Sequence, residues 1–305
     1  MRVAFLVFVL PLASALGLSR FKHLVTFGDS YTDVVNVGDG GVAWPVYAAG
    51  YAHLTLHPFA RSGAACSNNI TPINSPPVME SQIPAFQAAK LRLPPQETVY
   101  TLWIGTNDVG ASGLLTGKDP GVTVVDTTAC AVDWVRVMYR LGARNFIFQN
   151  IIPLQLTELY SATALPSRPW HTDRNQTEWA LLMTEMTTAG NAISLLMLRA
   201  LAPTLRGARI AYFDSHALFT DMFANPARYL NGTAPLNVTG SINGCPFELN
   251  GGPVGGACPP QVQGSDRDSF LWFDELHPSE QADRVVAREM VAALRGNTRW
   301  ATWIS

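Results

Sequence analysis

The sequence predicts an α/β protein, a three-layer αβα sandwich around a central, mostly parallel sheet. Short apolar runs at Leu24 to Phe27, Val99 to Ile104, Asn145 to Gln149 and Ile210 to Phe213 have the length and composition of buried strands. Enough chain for a helix separates each run from the next, and that alternation is what a parallel sheet covered on both faces requires. With 48% of its 305 residues apolar, the chain can bury a large core.

The first segment, residues 1–15, reads as a secretion signal. Arg2 precedes the apolar stretch Val3 to Leu12, and Ala13-Ser14-Ala15 offers the small residues of a cleavage site. Pro11 breaks the run well short of the about 20 apolar residues that span a bilayer. Residues 16–305 are then expected to be a single exported domain, extracellular and without stable membrane insertion. Removing Arg2 takes the formal charge from -2 to -3, since 20 Lys and Arg then face 23 Asp and Glu. Such weak acidity carries no nucleic-acid signature. No repeat, charge block or linker suggests a second domain, and a monomer is the expectation.

Leu24 to Phe27 leads into Gly28-Asp29-Ser30, a glycine-led turn with a serine on it. A further strand is expected around Thr55 to Phe59, with Pro58 blurring its boundaries. Connecting helices are expected at Met79 to Leu91, at Asp126 to Leu141 with Val132, Val135, Met138 and Leu141 on one face, and at Glu178 to Leu201. The last helix is expected to begin at His277-Pro278-Ser279-Glu280, with the proline in its first turn, and to run through Val285, Val286, Met290, Val291 and Leu294. Pro153 to Asp173 and Asn225 to Ser269 look irregular. The second reads either as an ordered lobe beside the site or as plain surface loop.

Four cysteines fit two disulfides in an oxidising compartment. Cys245 and Cys258 bracket a Gly- and Pro-rich stretch and form the favoured pair, which leaves Cys66 with Cys130; the sequence itself allows three pairings. Their spacing matches no zinc motif, and no metal or other cofactor is expected. Asn69, Asn175, Asn231 and Asn237 head N-glycosylation acceptor triplets for a eukaryotic secretory host, the first weakened by Pro72.

In parallel sheets the carboxyl ends of the strands form the site edge, so Ser30, Asn107 and, after the extra strand, Gly63 should meet there. Acyl transfer needs a nucleophile, a base, a carboxylate that orients the base, and donors for the oxyanion. Ser30 fits the first role. His277, held extended by Pro278, fits the second, and Asp274 three residues earlier fits the third. The N–H groups of Ser30 and Gly63 and the amide of Asn107 fit the fourth. Each has a structural rival: Asp29 and Ser30 as a helix cap, Asn107 and Asp108 as a turn, Asp274 and His277 as a helix entry, Gly63 as close packing. Asp214 and His216 form a competing acid and imidazole pair for which a helix cap is the simpler reading. His53 and His57 have the spacing of a helical metal pair but no third ligand. His171 beside Trp170 suits a sugar subsite or local packing.

Four blocks in this order, Gly28-Asp29-Ser30, Ser62-Gly63-Ala64, Gly105-Thr106-Asn107-Asp108 and Asp274-Glu275-Leu276-His277-Pro278, resemble the GDSL or SGNH hydrolase superfamily, named for Ser, Gly, Asn and His. The resemblance spans nearly the whole mature chain and implies a flavodoxin-like αβα fold and no metal cofactor. Through Phe27 to Asp33, Ile104 to Asp108 and Phe273 to Ser279 the chain is similar to secreted fungal acetylesterases of carbohydrate esterase family sixteen. Val35 and Pro58 depart from that pattern, at positions where relatives often carry glycine and asparagine. The resemblance implies a secreted serine esterase that removes acetyl groups from plant cell-wall carbohydrates, with a small acylated carbohydrate as its substrate. The alternatives are a lipase or lysophospholipase, and a noncatalytic extracellular carbohydrate-binding protein.

Overall fold

The computed structural model describes residues 20–117 and 121–304; the expected signal segment, 1–15, lies outside the described residues. The strands are β1 (His23–Gly28), β2 (Thr55–Pro58), β3 (Thr98–Trp103), β4 (Asn145–Gln149), β5 (Arg209–Phe213), β6 (Asn237–Ser241), β7 (Phe270–Trp272) and β8 (Ala301–Trp303). The helices are α1 (Trp44–Ala52), α2 (Ile83–Ala88), α3 (Thr106–Val109), α4 (Val124–Arg140), α5 (Gln176–Leu201), α6 (Ser215–Ala224) and α7 (Glu280–Leu294). Six strands form the main sheet in the order β2-β1-β3-β4-β5-β8, all parallel except β8, which runs antiparallel to β5.

Side-chain alternation along these strands separates two cores, one on each face of the sheet. Leu24, Val99, Ile147, Ala211 and Phe213 pack with α1, α6 and α7. Val25, Tyr100, Phe146, Phe148, Ile210 and Tyr212 pack instead with α4 and the Leu198 end of α5. The central strands are buried on both sides, which is why they read as continuous apolar runs. This is the three-layer αβα arrangement.

Several expected elements are corrected. The helix expected at Met79 to Leu91 is a wide π-helical turn, Val78–Gln82, followed by α2. Pro84 has no N–H to give to Glu80 O, so a regular helix cannot run through it. The last helix starts later: Ser279 is its cap, accepting from Ala282 N at 3.1 Å, and Pro278 stands before that cap rather than in the first turn. α1 was not expected, because Trp44–Ala52 is apolar nearly all round and shows no helical stripe. β8 is only three residues long. β6, inside the 225–269 stretch, pairs in parallel with β7 just beyond it, so this stretch is an ordered lobe. Cys245–Cys258 clamps it, and Cys66–Cys130 ties the loop after β2 to α4.

α5 has the length and apolar composition of a membrane span. Here it is an outer-layer helix. Met183, Thr187, Gly190, Ser194 and Leu198 form its buried face, and Asn191 bonds both the N–H and the carbonyl of Ile151 at 2.9 and 2.8 Å.

Candidate active site

β1 ends at Gly28 with φ +147°, where a Cβ would stand 2.2 Å from Trp103 O, so only glycine lets β1 and β3 finish side by side. The chain then turns sharply, Thr32 N and Asp33 N both donating to Asp29 O at 3.0 Å. Asp29 Oδ1 accepts from Tyr31 N at 3.1 Å and is spent on that turn. The Ser30 side chain is left free to face the His277 ring.

Asp274 builds the second part of the site. Its Oδ1 accepts the N–H groups of Leu276 at 2.9 Å and His277 at 2.7 Å, folding residues 274–277 back on the carboxylate. The same carboxylate lies 2.9 and 3.0 Å from His277 Nδ1 through its two oxygens. His277 Nε2 lies 2.9 Å from Ser30 Oγ. Tyr31 joins the two loops, its hydroxyl donating to Leu276 O at 2.9 Å while its ring and the imidazole meet edge to face with centroids 5.8 Å apart.

Burial by itself lowers the His277 pKa, but the hydrogen bond and charge of Asp274, helped by the charges of Asp29 and Asp39, outweigh it and hold the imidazole above its usual 6.5. Burial likewise raises Asp274, and the ring of His277 with the two N–H donors outweighs that, leaving the carboxyl below its usual range. The pair is thus an ion-stabilising unit: whatever proton His277 takes up is favoured there. Asp29, with no compensating cation in contact, is pushed up by burial to about 7.

Gly63 sits on the loop after β2 with φ +76°. Asp33 fixes that loop to the serine turn: Oδ2 accepts from Ser62 N at 2.8 Å, and Oδ1 accepts from Val35 N at 2.8 Å and Asn36 N at 3.2 Å. Asn107, in α3 just beyond β3, donates one amide N–H to Ala64 O at 2.9 Å. Asp108 completes the tie, taking Cys66 N at 3.1 Å and Thr71 Oγ1 at 3.1 Å; burial pushes its pKa up to about 6. Among the described residues, the N–H groups of Ser30 and Gly63 make no hydrogen bond.

The structure therefore brings Ser30, His277 and Asp274 into one hydrogen-bonded series and joins the Gly63 loop to α3 through the Asn107 to Ala64 bond. Asp214 is elsewhere in role: it caps α6, accepting from Ala217 N at 3.0 Å, and holds Asn150 at 2.8 Å. His53 ends α1 in the left-handed region and His57 lies in β2 beside His23, so the two are not a helical pair. His171 stacks on Phe247. Three residues at the site were not singled out from the sequence: Asp33, Tyr31, and Gly38, whose backbone packs against the His277 ring. For Asp33 the signal was present, since an aspartate three residues past a turn serine is placed to cap neighbouring loops.

The profile of the family described as GDSL-like Lipase/Acylhydrolase matches residues 24–290. The chain belongs to that family. An acetylesterase of Hypocrea jecorina is 32% identical over 93% of this chain and 91% of its own length. An acetylesterase of Thermothelomyces thermophilus is 24% identical over 90% of this chain and 89% of its own. A crystal structure of a catalytic mutant of an acetylxylan esterase from Geobacillus stearothermophilus aligns with TM-score 0.48 and 14% identity over 91% of this chain and 95% of that one. Family membership makes this chain a carboxylic ester hydrolase, as the four blocks implied.

Proposed function

We propose that this chain is a secreted serine esterase that removes short acyl groups, above all acetyl, from plant cell-wall carbohydrates. The observation that carries the mechanism is the unbroken series Ser30 Oγ, His277 and Asp274, with contacts of 2.9 Å on each side of the ring. His277 Nε2 takes the hydroxyl proton as Ser30 Oγ bonds the ester carbonyl carbon. The carbonyl oxygen becomes an oxyanion, for which the free N–H groups of Ser30 and Gly63 and the second amide N–H of Asn107 are the donors. Collapse breaks the ester C–O bond and the departing alcohol takes the proton from His277. Water then attacks the acyl-serine by the same route, releasing the carboxylic acid and restoring Ser30. Asp274 stabilises the imidazolium in both halves.

The substrate reading rests on relatives named acetylesterase along nearly the full chain. Two disulfides suit an exported protein. Asn175 and Asn231 are exposed and open to glycan attachment, whereas Asn69 spends its amide on Glu80. The test is a hydrolysis profile. kcat/KM for 4-nitrophenyl esters should fall steeply from acetate to octanoate, acetate should be released from acetylated xylo-oligosaccharides, and Ser30→Ala should lose both activities. A preference for octanoate with no acetate released from any sugar would transfer the chain to the lipolytic reading.

A further inference from the structure

A cavity of about 460 Å³ lies between the 158–167 segment and the 239–262 lobe. That volume falls in the range of small-ligand pockets, about 300–1,000 Å³. Ser30, Gly63, Asn107 and His277 do not line it, but Glu275, the neighbour of Asp274, does. Both walls are bonded to the loop that carries the acid. Leu159 N donates to Glu275 O at 2.8 Å, Asn243 N to Phe273 O at 2.6 Å, and Cys245 N to Glu275 Oε1 at 2.9 Å.

The lining has a definite chemistry. Glu158 and Glu275 are acceptors, and burial raises the pKa of each. The Ser241 hydroxyl faces Glu158 and lowers its pKa, yet Glu158 Oε1 and the hydroxyl of Ser167, a residue only 5% exposed, are buried without a hydrogen bond of good geometry. Buried polar atoms without partners are costly, and a ligand bearing hydroxyl groups would satisfy both. Five hydroxyl residues and four prolines line the cavity, with no aromatic side chain among the described residues. Aliphatic walls interleaved with hydroxyls match the C–H faces and O–H rim of a pyranose ring. An organic cation would call for an aromatic face, and two carboxylates in so large a space do not make a metal cage.

We propose that this cavity is a second subsite for an unacylated, neutral glycosyl unit, held by hydrogen bonds to Glu158 and Ser167. The idea rests on the carbohydrate-ester reading of the active site. It places an oligosaccharide binding element on the lobe clamped by Cys245–Cys258, outside the group of residues that perform acyl transfer.

Calorimetric titration with unacetylated xylotetraose tests it, using the full chain and the variants Glu158→Gln and Thr163→Trp. Glu158→Gln exchanges a charged acceptor for a neutral one and should weaken binding about tenfold. Thr163 is exposed and lines the cavity, so tryptophan there should fill the mouth and abolish the heat signal. In both variants the ratio of kcat/KM on acetylated xylotetraose to kcat/KM on 4-nitrophenyl acetate should fall, through KM. No binding by the unaltered chain, or equal binding in all three proteins, would overturn the subsite even if acetate is still released from sugars. Binding that both variants weaken, in a protein that releases no acetate from any sugar, would keep the subsite and reject the substrate reading.

Discussion

Gly38 lies against the face of His277 so closely that a Cβ at position 38 would stand 2.6 Å from Cδ2 and 3.2 Å from Nε2. The imidazole is therefore held on three sides: by Asp274 at Nδ1, by the Tyr31 ring, and by the bare backbone of Gly38. Gly38→Ala should push the ring off the line to Ser30 Oγ. A misplacement of about 1 Å costs about 10²-fold in rate, so kcat on 4-nitrophenyl acetate should drop by that order. Circular dichroism and the melting temperature should change little, because the residue is partly exposed and lies outside both cores. A variant with unaltered kcat would show that the ring has room to move without loss.

Asp274→Asn should lower kcat by about 10⁴, the expected cost of holding the imidazole in the wrong tautomer. The pH profile gives an independent reading. His277 must be neutral to accept the serine proton, so activity appears as pH rises through its pKa, which stands above 6.5 chiefly because of Asp274. The acid limb of kcat/KM should thus lie above 6.5 in the unaltered enzyme. Removing the carboxylate leaves burial, which lowers the imidazole pKa, and the limb of the variant should move to lower pH. An acid limb at the same position in both proteins would assign it to another group.

Asn107→Ala should reduce kcat by about 10² to 10³ with little change in KM, the loss expected for one oxyanion donor. The same substitution frees Ala64 O, so the glycine loop loses one tie to α3. Asn107→Asp keeps the size of the side chain, loses both amide N–H groups, the one bonded to Ala64 O included, and brings a charge that repels the oxyanion. It should be at least as impaired as the alanine variant. Activity close to normal in Asn107→Asp would mean that the amide takes no part in acyl transfer.

The β1 to β5 sheet was legible because central strands buried on both faces must be continuously apolar, and Ser30, Asn107, Asp274 and His277 were legible because their residue types sit directly after such runs or within one short loop. α1 left no pattern, since its exposed positions are Val46, Gly50 and Tyr51 and no polar side sets a period. The π-helical turn before α2 follows from Pro84, visible in the sequence but easily absorbed into a longer helix. Gly38 could not be found in advance. Its role arises from a contact with a residue far away in the chain, and one glycine in a loop says nothing of what lies across from it.

Asp39 and Asp283 place two carboxyl groups together in the interior, 3% and 4% exposed, between the loop that carries Gly38 and the first turn of α7. Asp39 Oδ1 accepts from Gly41 N at 2.8 Å and Asp283 Oδ2 from Trp44 N at 3.1 Å, which leaves the other two oxygens to share a proton. Burial raises both groups and the negative charge of Asp39 raises Asp283 further, so the pair holds one proton between its facing oxygens. Glu280 adds negative charge and Arg267 positive charge nearby. In the unfolded chain both carboxyls ionise near 3.8, while the folded pair keeps its proton to higher pH. The stability this supplies is complete below 3.8 and is lost as pH rises through the folded pKa of Asp283. Asp283→Asn replaces the shared proton with a permanent N–H directed at Asp39 and keeps an oxygen for Trp44 N. The variant should therefore hold its melting temperature on the alkaline side, melting about 2 to 6 °C above the unaltered enzyme near pH 9 while the two agree near pH 5. Parallel melting curves at both pH values would show that the two carboxylates are not coupled through a proton.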